Sequence, residues 1–278
     1  MTSFFSAVLA MSGLGVVLSL VLGLAAKVFY VYTDPRTETI MDILPGANCG
    51  GCGYPGCGEY AEAIVDKGES PNKCVAAGAD VTEQVCCVLG VEVAIGERQV
   101  ARIFCQGDHD KAWKRFEYSG AEDCYAAIVS TGGDKACKYG CVGLGTCVRA
   151  CPFDALSMGE NGLPVVNNYL CTGCGCCINA CPRNLPRLIP ISQPTANLCS
   201  THDSGKVVKS VCSVGCISCS MCLKKCPEGA VVMQDKMPVV LPERCKAHKV
   251  CVEKCPTGSM RDLQAQEEPE QAAAQAAD

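Results

Sequence analysis

The sequence predicts an α+β chain of small, ligand-stapled modules behind a single N-terminal transmembrane helix. Three observations carry that reading. Residues 4–26, "FFSAVLAMSGLGVVLSLVLGLAA", hold no charged side chain. The chain has 26 cysteines in 278 residues, against 5% aromatics and one Trp. Two cysteine runs of identical spacing also recur inside longer duplicated segments. A chain this long would ordinarily bury a core rich in Leu, Ile and Phe. So much cysteine points instead to small, stapled units, much as small metallo-domains are.

The apolar run comes first. A membrane helix needs roughly 20 apolar residues, which this run supplies. A cleaved signal peptide has a basic leading region and a shorter apolar stretch of about 7–15 residues. No Lys or Arg precedes this run, so residues 1–32 are read as a retained anchor. Lys27 and Arg36 follow it. The positive-inside rule then places the bulk on the cytoplasmic side of the inner membrane, as a single-pass protein. Cytoplasmic thiols stay reduced, which disfavours disulfides. Gly15, Ser19 and Gly23 share one helix face, a spacing that lets another membrane helix pack closely.

Residues 30–48, "YVYTDPRTETIMDILPGAN", read as a juxtamembrane linker. Residues 33–80 form a compact cysteine domain around "CGGCGYPGC", with Cys49, Cys52 and Cys57, followed by Cys74. Taken alone, that stretch suits a disulfide knot, a zinc site or an iron–sulfur cradle. Residues 60–68 have helical spacing and end at a Gly stop. Residues 81–135 are a connecting region. Within it "VEVAIGERQVARIFC" alternates in part like a strand, and "HDKAWKRFEY" reads as a short helix.

From Cys137 the chain repeats itself. Two segments share the order cysteines, Cys-Pro, apolar strand ending in Met, turn, Pro-Val-Val and a further cysteine. They mark modules at 136–190 and 191–262. The repeat extends upstream, where "CQGDHDKAWK" matches "CSTHDSGKVVK" and pairs Cys105 with Cys199. Residues 263–278 form an acidic, Ala/Gln-rich tail without a core, expected to be disordered.

The run C-x2-C-x2-C-x3-C-P bends thiolates around a cubane in bacterial ferredoxins, its fourth Cys serving the neighbouring cluster. It occurs twice: Cys171, Cys174, Cys177 and Cys181-Pro182; then Cys216, Cys219, Cys222 and Cys226-Pro227. Zinc would want two separated ligand pairs. Crossing the fourth ligands groups Cys171, Cys174, Cys177 and Cys151. Beside them fall Cys137, Cys141, Cys147 and Cys181. Cys216, Cys219, Cys222 and Cys255 form a third set, and Cys226, Cys245 and Cys251 most of a fourth. Leu144 stands where a loop cysteine belongs, so Cys137 is given that role, although its repeat mate Cys212 accompanies an intact loop. His248 stands at the missing position of the fourth set. A His ligand would raise the potential by removing thiolate charge; the alternatives are an exposed loop His beside a three-iron cluster, or no cluster. Cys86, Cys87, Cys105, Cys124, Cys176, Cys199 and Cys212 are unassigned. They are either small buried hydrophobes or, for Cys105, Cys124, Cys199 and Cys212, candidate metal ligands, the first three for an extra cluster.

Together, the anchor, "CGGCGYPGCGEYAEAI" with Cys74, and the duplicated cluster modules resemble the B subunits of Rnf complexes, the ion-translocating ferredoxin:NAD oxidoreductases. The resemblance covers nearly the whole chain. It implies that Cys49, Cys52, Cys57 and Cys74 ligate one [4Fe–4S] cluster, and that two tandem bacterial ferredoxin-like modules follow. About five [4Fe–4S] clusters are then expected by the four-cysteine rule. It implies a relay from soluble ferredoxin to the other membrane and flavin-bearing subunits, coupled to sodium or proton translocation. The rival readings are a membrane-tethered polyferredoxin of a hydrogenase or reductase, clusters that only hold small domains together, and a secreted disulfide protein.

Residues 206–262 carry ten Lys or Arg against five Asp or Glu in a chain of net charge −5. That basic module is a candidate docking face for an acidic ferredoxin, or a scattered solvated surface. No P-loop or Rossmann glycine pattern and no nucleophile–base pattern occurs. His109, His202 and His248 are too scattered for an acid–base centre. No stand-alone active site and no nucleic-acid partner are expected.

Overall fold

The computed structural model describes residues 2–29, 34–91 and 96–264. The acidic tail lies outside these from residue 265, as do 30–33 of the linker and 92–95 of the strand-like stretch. Helix α1 (Thr2–Val28) includes Met11–Val28, a window long and apolar enough to cross a membrane, none of it packed against the rest of the chain. Gly15, Ser19 and Gly23 line one shallow groove along it.

The expected linker is largely helical. Helix α2 (Pro35–Ile43) starts on Asp34, whose side chain accepts the Arg36 N–H, with Pro35 in the first turn. Both are standard helix starters. The helix persists because Thr37 and Ile40 are buried against α3 (Cys57–Lys67). Helix α3 ends at Gly68 in the left-handed conformation, the expected Gly stop. Helix α4 (Ala79–Leu89) completes the domain. Ile40, Leu44, Tyr60, Ala61, Ile64 and Val85 pack with Cys74. Tyr60 is fully buried and its hydroxyl donates to the Ser70 carbonyl at 2.8 Å and accepts the Lys73 N–H at 3.2 Å. Those bonds hold the segment that carries Cys74 over the core.

Strand β1 (Gln99–Ile103) follows, then α5 (Cys124–Thr131), α6 (Thr146–Arg149), β2 (Leu156–Met158), β3 (Pro164–Val166), α7 (Cys176–Asn179) and β4 (Pro186–Pro190). Strand β1 pairs antiparallel with β4, and β2 with β3. The second half repeats this: β5 (Thr195–Asn197), α8 (Gly205–Val211), α9 (Met221–Lys225), β6 (Val231–Gln234), β7 (Met237–Val240), α10 (Val250–Glu253) and β8 (Met260–Asp262). Here β5 pairs with β8 and β6 with β7. The stretch read as a connecting region therefore contributes β1. Its Ala101 N–H donates to the Cys171 sulfur at 3.4 Å.

The helix expected over 109–118 does not form. Its one buried apolar residue is Ala112, and Trp113 is 73% exposed, so there is no apolar face for a helix to bury. Its backbone pairs elsewhere: Trp113 N–H to Val211 O, Arg115 N–H to Asp134 O and Ala136 N–H to Trp113 O.

The two halves are joined by a small apolar cluster of Ile189, Ala196, Leu198, Leu263 and Phe104. Gln106 donates to the Ser259 carbonyl at 3.0 Å, and Ser200 donates to the Phe104 carbonyl at 3.1 Å.

Candidate metal centres

All 26 cysteines are free thiols in the structure. Cys49, Cys52, Cys57 and Cys74 line one cavity of about 330 Å³ under Tyr60. Asn48 accepts the Cys57 N–H at 2.8 Å, which fixes the start of α3 beside it.

In the first module Cys177 lies within electrostatic reach of Cys171, Cys174, Cys147 and Cys151. The Arg98 guanidinium holds their loop, donating to the carbonyls of Asn168, Tyr169 and Cys171 at 2.8, 2.9 and 2.9 Å. Cys141, Cys147 and Cys181 lie beside them, Cys147 facing Cys181 and, unexpectedly, Cys124. Cys124 is fastened there: its N–H donates to Thr146 Oγ1 at 2.8 Å, and Thr146 donates to Asp123, the N-cap of α5. Cys137 is turned elsewhere. It lines a separate cavity with Cys105, Cys199 and Cys212.

In the second module Cys216, Cys219, Cys222 and Cys255 line a cavity of about 320 Å³. Cys226, Cys245, Cys251 and His248 line another of about 320 Å³, with the Thr195 hydroxyl 3.7 Å from the Cys251 sulfur. His248 Nε2 sits 3.3 Å from Glu228 Oε1 at the rim. Cys86, on the core side of α4, and the exposed Cys87 join none of these groups.

Burial pushes the Cys141 and Cys177 thiols up to about 12, and those of Cys147 and Cys222 to about 11. Such thiols ionise only with positive charge beside them, and a coordinated metal provides it. Cys255 goes the other way: burial opposes ionisation, but the Ser259 hydroxyl and the N–H groups of Met260 and Thr257 outweigh it. Backbone donors aimed at sulfur recur at matched places. Leu185 N–H meets Cys181 at 3.5 Å and Ala230 N–H meets Cys226 at 3.3 Å. Rigid cages of thiols met by N–H groups suit iron–sulfur clusters, whose potentials such bonds tune. Among the described residues no three Cys, His, Asp or Glu side chains converge on a single metal ion. A cubane spreads its thiolates over separate corners.

Known proteins agree with this chemistry. The chain is 43% identical over 242 residues to the B subunit of the ion-translocating oxidoreductase complex of Methanosarcina acetivorans, covering 87% of this chain and 92% of that one. This chain belongs to that family of B subunits. It is also 41% identical over 246 residues to the B subunit of the proton-translocating ferredoxin:NAD(+) oxidoreductase complex of Clostridium ljungdahlii, covering 88% and 87%. The Na(+)-translocating counterpart of Acetobacterium woodii is 40% identical over 202 residues, covering 73% and 61%. The "FeS" iron–sulfur cluster family model matches residues 44–76, which hold Cys49, Cys52, Cys57 and Cys74. The 4Fe-4S binding domain model matches 139–157 and 164–187. The first of those stretches begins after Cys137. This member of the family therefore carries an iron–sulfur domain and ferredoxin-type [4Fe–4S] sites.

Spacing gives the place vacant at Leu144 to Cys137 and keeps Cys124 only as a ligand of an extra cluster; the structure brings Cys124, which lies far upstream, to Cys147 instead.

Proposed function

We propose that this chain is the electron relay of an ion-translocating ferredoxin:NAD oxidoreductase complex. Helix α1 anchors it to the membrane with the bulk on the cytoplasmic side. It takes electrons from soluble ferredoxin and passes them toward membrane and flavin-bearing subunits. Bound [4Fe–4S] clusters supply one-electron carriers. The observation that carries the reading is the continuity of the thiol cages. The Cys176 thiol lies between Cys49 of the N-terminal domain and Cys174 and Cys151 of the first module. The second module packs on the first through Phe104, Ile189, Ala196, Leu198 and Leu263.

The ligand sets proposed are Cys49, Cys52, Cys57 and Cys74; Cys151, Cys171, Cys174 and Cys177; Cys124, Cys141, Cys147 and Cys181; and Cys216, Cys219, Cys222 and Cys255. The fifth is Cys226, Cys245 and Cys251 with His248. A metal-bound His usually gives its other ring nitrogen to a carboxylate, and Glu228 is placed to be that partner. The second module is the ferredoxin-docking end. Lys224, Lys225 and Lys254 are exposed there, while Lys246 and Lys249 are engaged by Glu228 and Asp262.

The test is anaerobic purification from membranes with the tag on this chain, reading partner identity and ferredoxin-dependent NAD reduction with and without sodium. Cys57→Ala is then expected to leave the module clusters reducible by ferredoxin while blocking NAD reduction. Unchanged NAD reduction would falsify the relay. Co-purification with a hydrogenase or another reductase would assign the chain to that complex instead.

A further inference from the structure

The cavity lined by Cys105, Cys137, Cys199 and Cys212 lies where the two modules meet. Its empty space, part of it continuous with solvent, is about 450 Å³. The sequence duplication makes its lining symmetric: Cys105 and Cys137 come from the first module, Cys199 and Cys212 from the second.

The backbone donors match as well. Cys141 N–H donates to Cys105 Sγ at 3.3 Å, and Cys216 N–H donates to Cys199 Sγ at 3.3 Å. Tyr139 and Gly140 N–H groups face Cys137, as Val214 and Gly215 N–H groups face Cys212. A Cβ on Gly107 would lie 3.5 Å from Cys212 Sγ and 3.7 Å from Cys105 Sγ, so the bare backbone forms one wall. Phe104, Leu198, Val208 and Val211 close the apolar side.

One buried cation adds an independent sign. Lys135 is 2% exposed and donates to the Gly107 carbonyl at 2.6 Å, with Cys141 and Cys212 in its field. A buried ammonium is costly unless negative charge offsets it. Four thiolates around a cubane leave net negative charge, which does so. A single tetrahedral zinc would need all four sulfurs about 2.3 Å from one point, and no such convergence exists among the described residues.

We propose that Cys105, Cys137, Cys199 and Cys212 hold a sixth [4Fe–4S] cluster at the seam between the modules. It rests on the relay reading and completes it. Cys105 meets Cys141 on one side and Cys199 meets Cys216 on the other, so the seam cluster joins the two modules' cages. It assigns 23 of the 26 cysteines to clusters, leaving Cys86, Cys87 and Cys176.

The test compares iron per chain in anaerobically purified complex carrying Cys137→Ala, Cys199→Ala or both. Each single variant is expected to lose about four irons relative to wild type, by the cubane stoichiometry. The double variant is expected to lose the same four, because one ligand from each module serves one cluster. Additive losses, or no loss from Cys199→Ala, overturn the proposal. Zinc recovered from this site in wild-type protein does so too. Cys137→Ser and Cys199→Ser, which keep a weaker oxygen ligand, are expected to shift the EPR signal of one and the same cluster; shifts in two different signals reject a shared site. Additive losses with NAD reduction intact in wild type would reject the seam cluster and leave the relay standing.

Discussion

The Cys176 thiol lies 3.4 Å from the carbonyl oxygen of Cys49, so a loop of the first module touches the N-terminal cluster domain. Gly51 sits in the same contact, where an added Cβ would fall 2.7 Å from the Cys174 carbonyl oxygen. Replacing Gly51 with Val is therefore expected to push the two cages apart without removing a ligand. Iron content should stay at the wild-type level, and ferredoxin should still reduce the module clusters. Stopped-flow transfer onward to NAD should fall tenfold or more. A rate equal to wild type would remove this contact from the electron path.

Cys124 is expected to replace the loop cysteine missing at Leu144. Cys124→Ala should lose about four irons, one cubane's worth. Leu144→Cys in that background restores an unbroken C-x2-C-x2-C loop from Cys141 to Cys147 and should restore the iron. Full iron in Cys124→Ala would show that the cluster takes its fourth ligand elsewhere.

His248 is expected to ligate the last cage, with Glu228 on its second nitrogen. His248→Cys should leave the iron count unchanged and lower the midpoint potential of one cluster, since thiolate replaces a neutral ligand. Redox-titrated EPR checks this. A gain of about one iron per chain would instead identify a three-iron occupant, by the four-iron stoichiometry of a complete cubane.

The basic second module is expected to steer ferredoxin electrostatically. Reversing Lys224 and Lys225 to Glu should lower the second-order reduction rate roughly tenfold at low salt and flatten its salt dependence. Wild-type rates should fall steeply as ionic strength passes about 0.1 M, where screening acts within about 10 Å. A wild-type rate that is flat in salt would move docking to another face.

The sequence by itself determined the apolar N-terminal run, the iron–sulfur chemistry and the duplication. Those signals are local: an uncharged run at residues 4–26, glycine-spaced thiols at 49–57, and loops whose cysteines recur at fixed spacing. A loop such as Cys171-x2-Cys174-x2-Cys177 bends around one cluster through its own backbone, so its purpose is written in its spacing. The helix α3 and its Gly68 stop were legible for the same reason. Tertiary structure decided what depends on distant segments. It brought Cys124 to Thr146 and Cys147, turned Cys137 toward Cys199 and Cys212, and paired β1 with β4. It also drew 109–118 into backbone pairing with residues 134–136 and 211–212 in place of a helix. No spacing encodes such meetings, because they depend on which surfaces two folded modules bury against each other. The duplication did mark Cys105 and Cys199 as equivalent, but only the packed seam made them neighbours.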